Sequence, residues 1–315
     1  MSHEVLPPLA RSALDRDYLA RSNPELFDSL WSEAGTRILA MHDGRVLSDG
    51  SGLRLLECEQ VPTASLRVYL GRTLKTQGTE PSGTPVVLAV LSENGAREIS
   101  SEESSWHTLR EIGAQLSDRD AGILVQALAL NNWHQNFAFC PRCGTPTVIE
   151  QGGWVRRCFK DNYEVFPRTD PAVIVAITDE KDRILLGSQT VWEENRWSVL
   201  AGFVEPGEAL ETAVHREMKE ESGLELEQIK YVFSQSWPYP FSLMLGFEAK
   251  ASSSEPLVAD GEEIRELRWF SKAELLEAAP SLLLPGEITI SRALIERWLG
   301  EKLPQLSDPR PNGKQ

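Results

Sequence analysis

Apolar and polar residues alternate along the first third of the chain in short strand-like runs. After Pro171 the pattern mixes strands with helices. Residues 37 to 92 carry RILAMHDGRVLS, LRLLECEQV, SLRVYLGRT and PVVLAVLS, β-type runs separated by turn signals. MHDGRV predicts a hairpin, because Asp-Gly tolerates the positive φ angles of a tight primed turn. Cys58 lies inside one of these runs and reads as a buried core thiol rather than a reactive one. LSDRDAGILVQALALNNWHQNF (116–137) predicts a helix capped by Ser117, with Asp120 as a partial capping-box partner and His134 as a packed side chain.

Beyond Pro171, PAVIVAITDEKDRILLGSQ predicts a strand, a charged turn and a second strand. RWSVLAGFV predicts another strand, leading through EPGE into a helix. IKYVFSQS and FSLMLGFEAK predict strands on either side of a WPYP corner. IRELRWFS predicts a further strand and SRALIERWL (291–299) an amphipathic helix. These elements divide the chain into an amino-terminal α+β domain (1–135), a small connector (136–168), an α/β domain (169–302) and a disordered tail (303–315). No internal repeat is visible.

The helix after EPGE predicts chemistry. It is expected to run from near Glu208 to Gly223, where a glycine supplies the left-handed C-cap. At 100° per residue Leu210, Ala213, Val214 and Met218 fall on one stripe. Glu217 and Glu221 continue that inward stripe and Glu220 borders it, while His215 and Lys219 face solvent. Three carboxylates at a helix C-terminus oppose the macrodipole by about 0.3–1 kcal/mol each. If they are sheltered, they need protonation, basic partners or a metal, and hard oxygen ligands on one face suit Mg²⁺ or Mn²⁺. The competing reading is a solvated acidic helix end paired with Arg216 and Lys219.

The stretch GFVEPGEALETAVHREMKEESGL (202–224) resembles the Nudix box, G-x5-E-x7-R-E-U-x-E-E-x-G-U. It matches at Gly202, Glu208, Arg216, Glu217, Met218, Glu220, Glu221, Gly223 and Leu224. The resemblance implies a C-terminal Nudix α/β/α sandwich that hydrolyses a nucleoside diphosphate derivative through water activated by Mg²⁺ or Mn²⁺. It implies metal held by Glu217, Glu221, Glu220 and the backbone carbonyl of Ala201, with Glu208 fixing Arg216. Glu263, or its neighbour Glu262, stands where related enzymes supply a further metal ligand or base.

SQSWPYPFS (234–242) holds three aromatic residues, Trp237, Tyr239 and Phe241, separated by Pro238 and Pro240. Those prolines restrict φ and so stiffen an aromatic ledge suited to a flat ring, with Gln235 and the serines Ser236 and Ser242 beside it. An ordinary proline-rich bend with core aromatics is the plain alternative. The stretch resembles the SQPWPFPxS signature of the NADH pyrophosphatase branch of Nudix enzymes, departing at Ser236 and Tyr239. That branch implies hydrolysis of NAD(H) to NMN(H) and AMP, removal of NAD caps from RNA, and a homodimer. ADP-ribose as substrate and a non-catalytic NAD-sensing module are the rival readings. By the same resemblance Phe166 stacks on the nucleotide, Ser291 contacts substrate through its backbone and Arg110 reaches a phosphate.

Cys140-x2-Cys143, followed by Cys158, has the spacing of a structural zinc ribbon. The resemblance calls for a fourth cysteine where this chain has Asp161. Zinc held by three thiolates and a carboxylate, and a ribbon that keeps its shape by packing alone, both remain open on these residues.

Composition narrows the setting. The 315 residues are 41% hydrophobic and 25% charged, as in a globular protein, and the net charge of −15 disfavours non-specific binding to nucleic acid or anionic membrane. The first residues show no basic segment followed by an apolar run, so no signal peptide is expected. The apolar runs are too short to span a bilayer. Four cysteines suggest no disulfide scaffold, and the reading is a cytoplasmic protein.

Overall fold

The computed structural model describes residues 6–253 and 256–304. The first five residues, and the expected tail from residue 305 on, lie outside the described residues. The chain forms two compact units, one of Leu9–Thr169 with Ser236–Phe241, the other centred on Asp170–Gln235 and the chain from Ser242 onward.

The first unit holds a six-stranded sheet of β1 (Leu14–Asp15), β2 (Arg37–His42), β3 (Arg45–Leu47), β4 (Leu66–Thr73), β5 (Pro85–Val90) and β6 (Trp106–His107), in the order β1-β4-β5-β2-β3-β6. Its helices are α1 (Leu26–Ser32), α2 (Glu93–Ile99), α3 (Leu109–Ile112) and α4 (Asp118–Asn136). The expected hairpin forms between β2 and β3, with Asp43 and Gly44 both at positive φ and Met41 opposite Val46. LRLLECEQV does not form a strand. Leu53 and Leu56 make isolated bridges, and Cys58–Gln60 turns as a 3-10 helix because Glu57 and Gln60 cap each other reciprocally. Cys58 is buried in the core all the same.

Ser117 caps α4 by accepting from the Asp120 amide at 3.2 Å. Asp120 is no capping-box partner. Its carboxylate turns away, accepting from the Leu53 amide at 3.0 Å and from Arg119 Nε at 2.8 Å. His134 is packed. Its Nε2 lies 2.8 Å from the Gly153 carbonyl and its Nδ1 2.9 Å from Arg156 Nη1, so the ring is neutral, with Nε2–H donating and Nδ1 accepting. Burial first, then Arg156, holds its pKa down to about 4. The ribbon is a small sheet of β7 (Val148–Glu150), β8 (Val155–Cys158) and β9 (Tyr163–Val165).

The second unit is built on β10 (Asp170–Thr178), β11 (Ile184–Gln189), β12 (Leu200–Phe203), β13 (Leu226–Trp237), β14 (Ser242–Ala251) and β15 (Ile264–Phe270). The order is β13-β14-β10-β11-β15, with β12 also paired to β10. Its helices are α5 (Leu210–Ser222), α6 (Lys272–Ala278) and α7 (Ile290–Leu299). Alternation along β10 makes the sandwich. Val173, Val175 and Ile177 meet Ala213, Val214 and Met218 of α5, while Ile174 and Ala176 meet Leu294 and Ile295 of α7. Only Leu200–Phe203 of RWSVLAGFV is a strand, with Ser198 making a single bridge to Gly187. Leu303, assigned by sequence to the tail, packs in the core beside α7.

Although no repeat shows in the sequence, the two sheets share a wiring. In the first unit β4-β5-β2-β3-β6 has one parallel pair, β2 with β5, among antiparallel neighbours. In the second, β13-β14-β10-β11-β15 has its parallel pair at the same place, β10 with β14. One difference lies between β3 and β4, where the first unit has a 3-10 turn and the second, between β11 and β13, has β12 and α5.

Candidate functional site

The register of β12 on β10 sets Ala201 opposite Ile174 and Gly202 opposite Val173. From there the chain turns through EPG into α5, which starts at Leu210 rather than near Glu208. Glu208 closes the turn instead, its amide donating to the Glu205 carbonyl at 3.1 Å, and its carboxylate receives Arg216. Arg216 Nε and Nη2 each donate to Glu208 at 2.9 Å, and Nη2 reaches the Phe203 carbonyl at 3.0 Å. This fork ties the turn to the helix, and hydrogen bonding to Glu208 first of all holds the guanidinium charged. The helix stops at Gly223, whose φ of 74° is left-handed.

The carboxylates fall where the 3.6-residue period puts them. Glu220 is exposed, Glu217 half-buried and Glu221 buried at 3% exposure. Arg216 Nη1 lies 2.9 Å from Glu217 and 3.2 Å from Glu220, so one guanidinium serves Glu208, Glu217 and Glu220. It does not serve Glu221. Among the described residues, Glu221 Oε2 is buried with no hydrogen-bond partner. Burial, then Glu217, Glu263, Asp260 and Glu220, push the Glu221 carboxyl up to about 8. Glu217 is pushed up as well, by burial first, with Arg216 opposing. The Glu217 carboxyl is pressed against the backbone at Gly202, beside Ala201, in space that a Cβ would occupy.

Glu263 is exposed just before β15, and its charge bears on both Glu217 and Glu221. Its neighbour Glu262 lends its carbonyl to Thr190 Oγ1 at 2.7 Å. Two residues absent from the sequence reading fix this loop. Asp260 accepts from the amides of Glu262, Glu263 and Ile264, at 3.2, 3.2 and 2.8 Å, and Thr190 N donates to the Glu263 carbonyl at 2.9 Å. The Asp-Gly beginning of DGEEI was the available signal, since Asp favours turns that its own carboxylate closes.

An orphaned buried carboxylate oxygen among four further acidic groups fits a divalent cation. Oxygen donors from Glu217, Glu220, Glu221, Glu263 and the Ala201 backbone are of the hard type that Mg²⁺ and Mn²⁺ prefer.

The ledge belongs to the first unit. Trp237 and Tyr239 ring centroids are 5.1 Å apart, Phe241 lies 5.7 Å from Phe137, and Asn132 Nδ2 donates to the Pro238 carbonyl at 2.8 Å. The Tyr239–Pro240 peptide is cis. Arg110, on α3, holds its guanidinium 4.2 Å from the Tyr239 ring centroid and 5.0 Å from that of Trp237, so it forms part of the ledge. Phe166 is 59% exposed. Gln235 is 1% exposed and its Nε2 donates to the Ile288 carbonyl at 2.9 Å, tying β13 to the turn before α7. Ser236 is half-buried and Ser242 buried. Ser291 sits in the first turn of α7 with Oγ 2.7 Å from Ser198 Oγ.

In the ribbon, the sulfurs of Cys140, Cys143 and Cys158 and an Asp161 oxygen all lie within 4.8 Å of one another. Cys143 and Cys158 are 3.6 Å apart, far beyond a disulfide, and Cys140 and Asp161 are 3.8 Å apart. A tetrahedron with arms of about 2.3 Å has edges of about 3.8 Å, so the four groups fit zinc.

Comparison with known proteins gives three family matches. Family models match for the NUDIX domain over residues 168–292, for the NADH pyrophosphatase zinc ribbon domain over 135–166, and for the NADH pyrophosphatase-like rudimentary NUDIX domain over 35–133. The last explains the shared wiring of the two sheets. The chain is 36% identical over 312 residues to the NAD-capped RNA hydrolase NudC of Mycobacterium tuberculosis (strain ATCC 25618 / H37Rv), covering 93% of this chain and 95% of the relative. It is 38% identical over 199 residues to the NAD-capped RNA hydrolase NUDT12 of Homo sapiens, covering 59% of this chain and 43% of that one. Among solved structures, a NUDIX hydrolase from Nitrosomonas europaea aligns with 53% of this chain and 95% of its own, at 22% identity and a TM-score of 0.42.

Proposed function

The chain belongs to the NADH pyrophosphatase (NudC-like) family of Nudix hydrolases, and from that premise we propose that it cleaves the pyrophosphate bond of NAD(H) to NMN(H) and AMP and removes NAD caps from RNA. One observation carries the catalytic assignment: Glu221, buried, with an orphaned oxygen, facing Glu217, Glu263 and Asp260, and left out of the Arg216 clamp. A module that only sensed NAD would have no use for so costly an arrangement. Glu217, Glu220, Glu221, Glu263 and the Ala201 carbonyl are the residues that would hold Mg²⁺ or Mn²⁺. What bound divalent ions supply is neutralisation of the diphosphate and a water acidified for attack on phosphorus.

The chain's own residues prepare the rest. Arg216 and Glu208 lock the turn onto α5, so Glu217 and Glu221 keep one geometry. Asp260 and Thr190 hold the backbone that carries Glu263. We assign the flat rings of the substrate to Trp237, Tyr239, Phe241 and Phe166, phosphate contact to Arg110 at the ledge rim, and a backbone contact to Ser291. Substrate contacts are likewise assigned to Ser236, Pro238, Pro240 and Ser242. Gln235 acts as a support.

Hydrolysis of NADH in ¹⁸O-labelled water, with Mn²⁺ or Mg²⁺, is expected to give NMNH and AMP with one label per turnover. A wide preference for ADP-ribose over NADH and NAD-capped RNA would retire this choice of substrate. We also propose a homodimer, checked by a solution mass twice that of the chain, and a cytoplasmic enzyme, where unpaired cysteines stay reduced. Among the described residues no helix is long and apolar enough to cross a membrane.

We assign structural zinc to Cys140, Cys143, Cys158 and Asp161. Protein purified without added zinc is expected to carry about one zinc per chain. Asp161→Cys should retain it through a chelator challenge that strips the parent, because a thiolate is the softer and stronger ligand. A zinc content near zero in the parent protein rules the assignment out.

A further inference from the structure

The proposed chemistry sits on the α5 face of the second sheet. The other face carries a cavity of about 370 Å³ that this chemistry does not use. Ala176 and Thr178 of β10 lie on its floor, and Trp298, on the last turn of α7, forms a wall. Trp298 is held in place by its Nε1, which donates to the Asp182 carbonyl at 3.2 Å, and by Lys272 Nζ, 5.5 Å from its ring centroid.

Charge separates this cavity from an ordinary surface dent. Its two carboxylates are already neutralised: Asp182 lies 3.3 Å from Lys272 and Glu248 2.6 Å from Arg297. Lys230 and Lys250 also line it and are exposed, and among the described residues neither has an ion-pair partner. Two positive charges are therefore left in excess, beside an indole, on a chain of net charge −15. The volume is at the low end of the roughly 300–1,000 Å³ typical of small-molecule sites, which suits one nucleotide and not a dinucleotide.

We propose that this cavity is a second ligand site that takes a mononucleotide, its phosphate between Lys230 and Lys250 and its ring on Trp298. Thr178 and Gln228 stand at the lining as hydrogen-bond partners for the sugar and ring edge. The site is separate from the carboxylate cluster, because β10 sends Ala176 to the α7 side and Val175 and Ile177 to the α5 side.

The test is titration of the full-length protein with adenosine 5′-monophosphate in chelator-treated buffer, following the indole NMR signal assigned to Trp298 by its loss in Trp298→Phe. A saturable shift is expected, weakened about tenfold or more in Lys230→Glu/Lys250→Glu, with turnover of NADH by that variant unchanged. Lys250→Gln alone should weaken it in the same direction, which keeps the test decisive if the double variant folds poorly. No shift, or a shift that both variants leave at parental affinity, overturns the proposal. So does inorganic phosphate binding as tightly as the nucleotide, because the indole would then contribute nothing.

Discussion

Glu221→Gln is expected to lower turnover by on the order of 10³-fold while the protein folds normally. The amide keeps the shape of the carboxyl and removes its charge from a position that is 3% exposed and has an oxygen without a partner. In a site whose work is to hold divalent ions, that charge is the whole contribution of the side chain. In a solvated acidic helix end the substitution would be close to neutral. Steady-state rates with Mn²⁺, read beside circular dichroism, check it, and retention of parental turnover would remove Glu221 from the metal-binding set.

The same substitution carries a stability signature of opposite sign. Burial and the neighbouring carboxylates push Glu221 up to about 8 in the metal-free protein, against 4.5 as the ordinary value. Between those two pH values the folded chain keeps a proton that the unfolded chain has released. Metal-free stability therefore falls as pH rises through that window. Divalent ions that bind the ionised form should reverse the trend, raising Tm more at pH 8 than at pH 5. Glu221→Gln should flatten both slopes, and thermal melts with and without Mn²⁺ across this range show whether it does.

The legible parts of this chain are those where local physics and function point the same way. Helix α5 could be read because its apolar stripe, its glycine stop and its carboxylates obey one period, and the structure keeps Met218 and Glu221 on the same buried face. The Asp43-Gly44 hairpin could be read because only certain residues accept positive φ. The duplicated wiring could not be read. Two sheets with the same strand order need only alternation, which any half-buried strand supplies, and the one conspicuous element, α5, occurs in a single copy. The hydrogen bonds of Gln235 and Asp120 were closed to sequence for a related reason. Where a long polar side chain turns is decided by what the fold brings near it, an Ile288 carbonyl in one case and a Leu53 amide in the other, 53 and 67 residues away in sequence. The start of α5 moved from Glu208 to Leu210, and Glu208 stands in the turn before the helix, paired with Arg216.

Gly202→Ala is expected to cost at least about 10²-fold in kcat/KM, with only a modest loss of stability. The φ angle of Gly202 is not in the left-handed region, so strain is no part of the reasoning. A Cβ at this position would fall within the Glu217 carboxyl group, closer than real Cβ atoms come to any neighbour. The carboxyl is the end of a flexible side chain and can give way. It can do so only by leaving the backbone at Ala201 and Gly202, which together with Glu221 defines the proposed metal seat. The fold should therefore survive, the affinity for Mn²⁺ should drop, and raising the Mn²⁺ concentration should restore part of the rate. Gly286→Ala, where open space meets the new methyl group, serves as the control and should change neither. If Gly202→Ala keeps the parental rate and Mn²⁺ dependence, Glu217 does its work from some other position, and the glycine that opens the box is there for the turn alone.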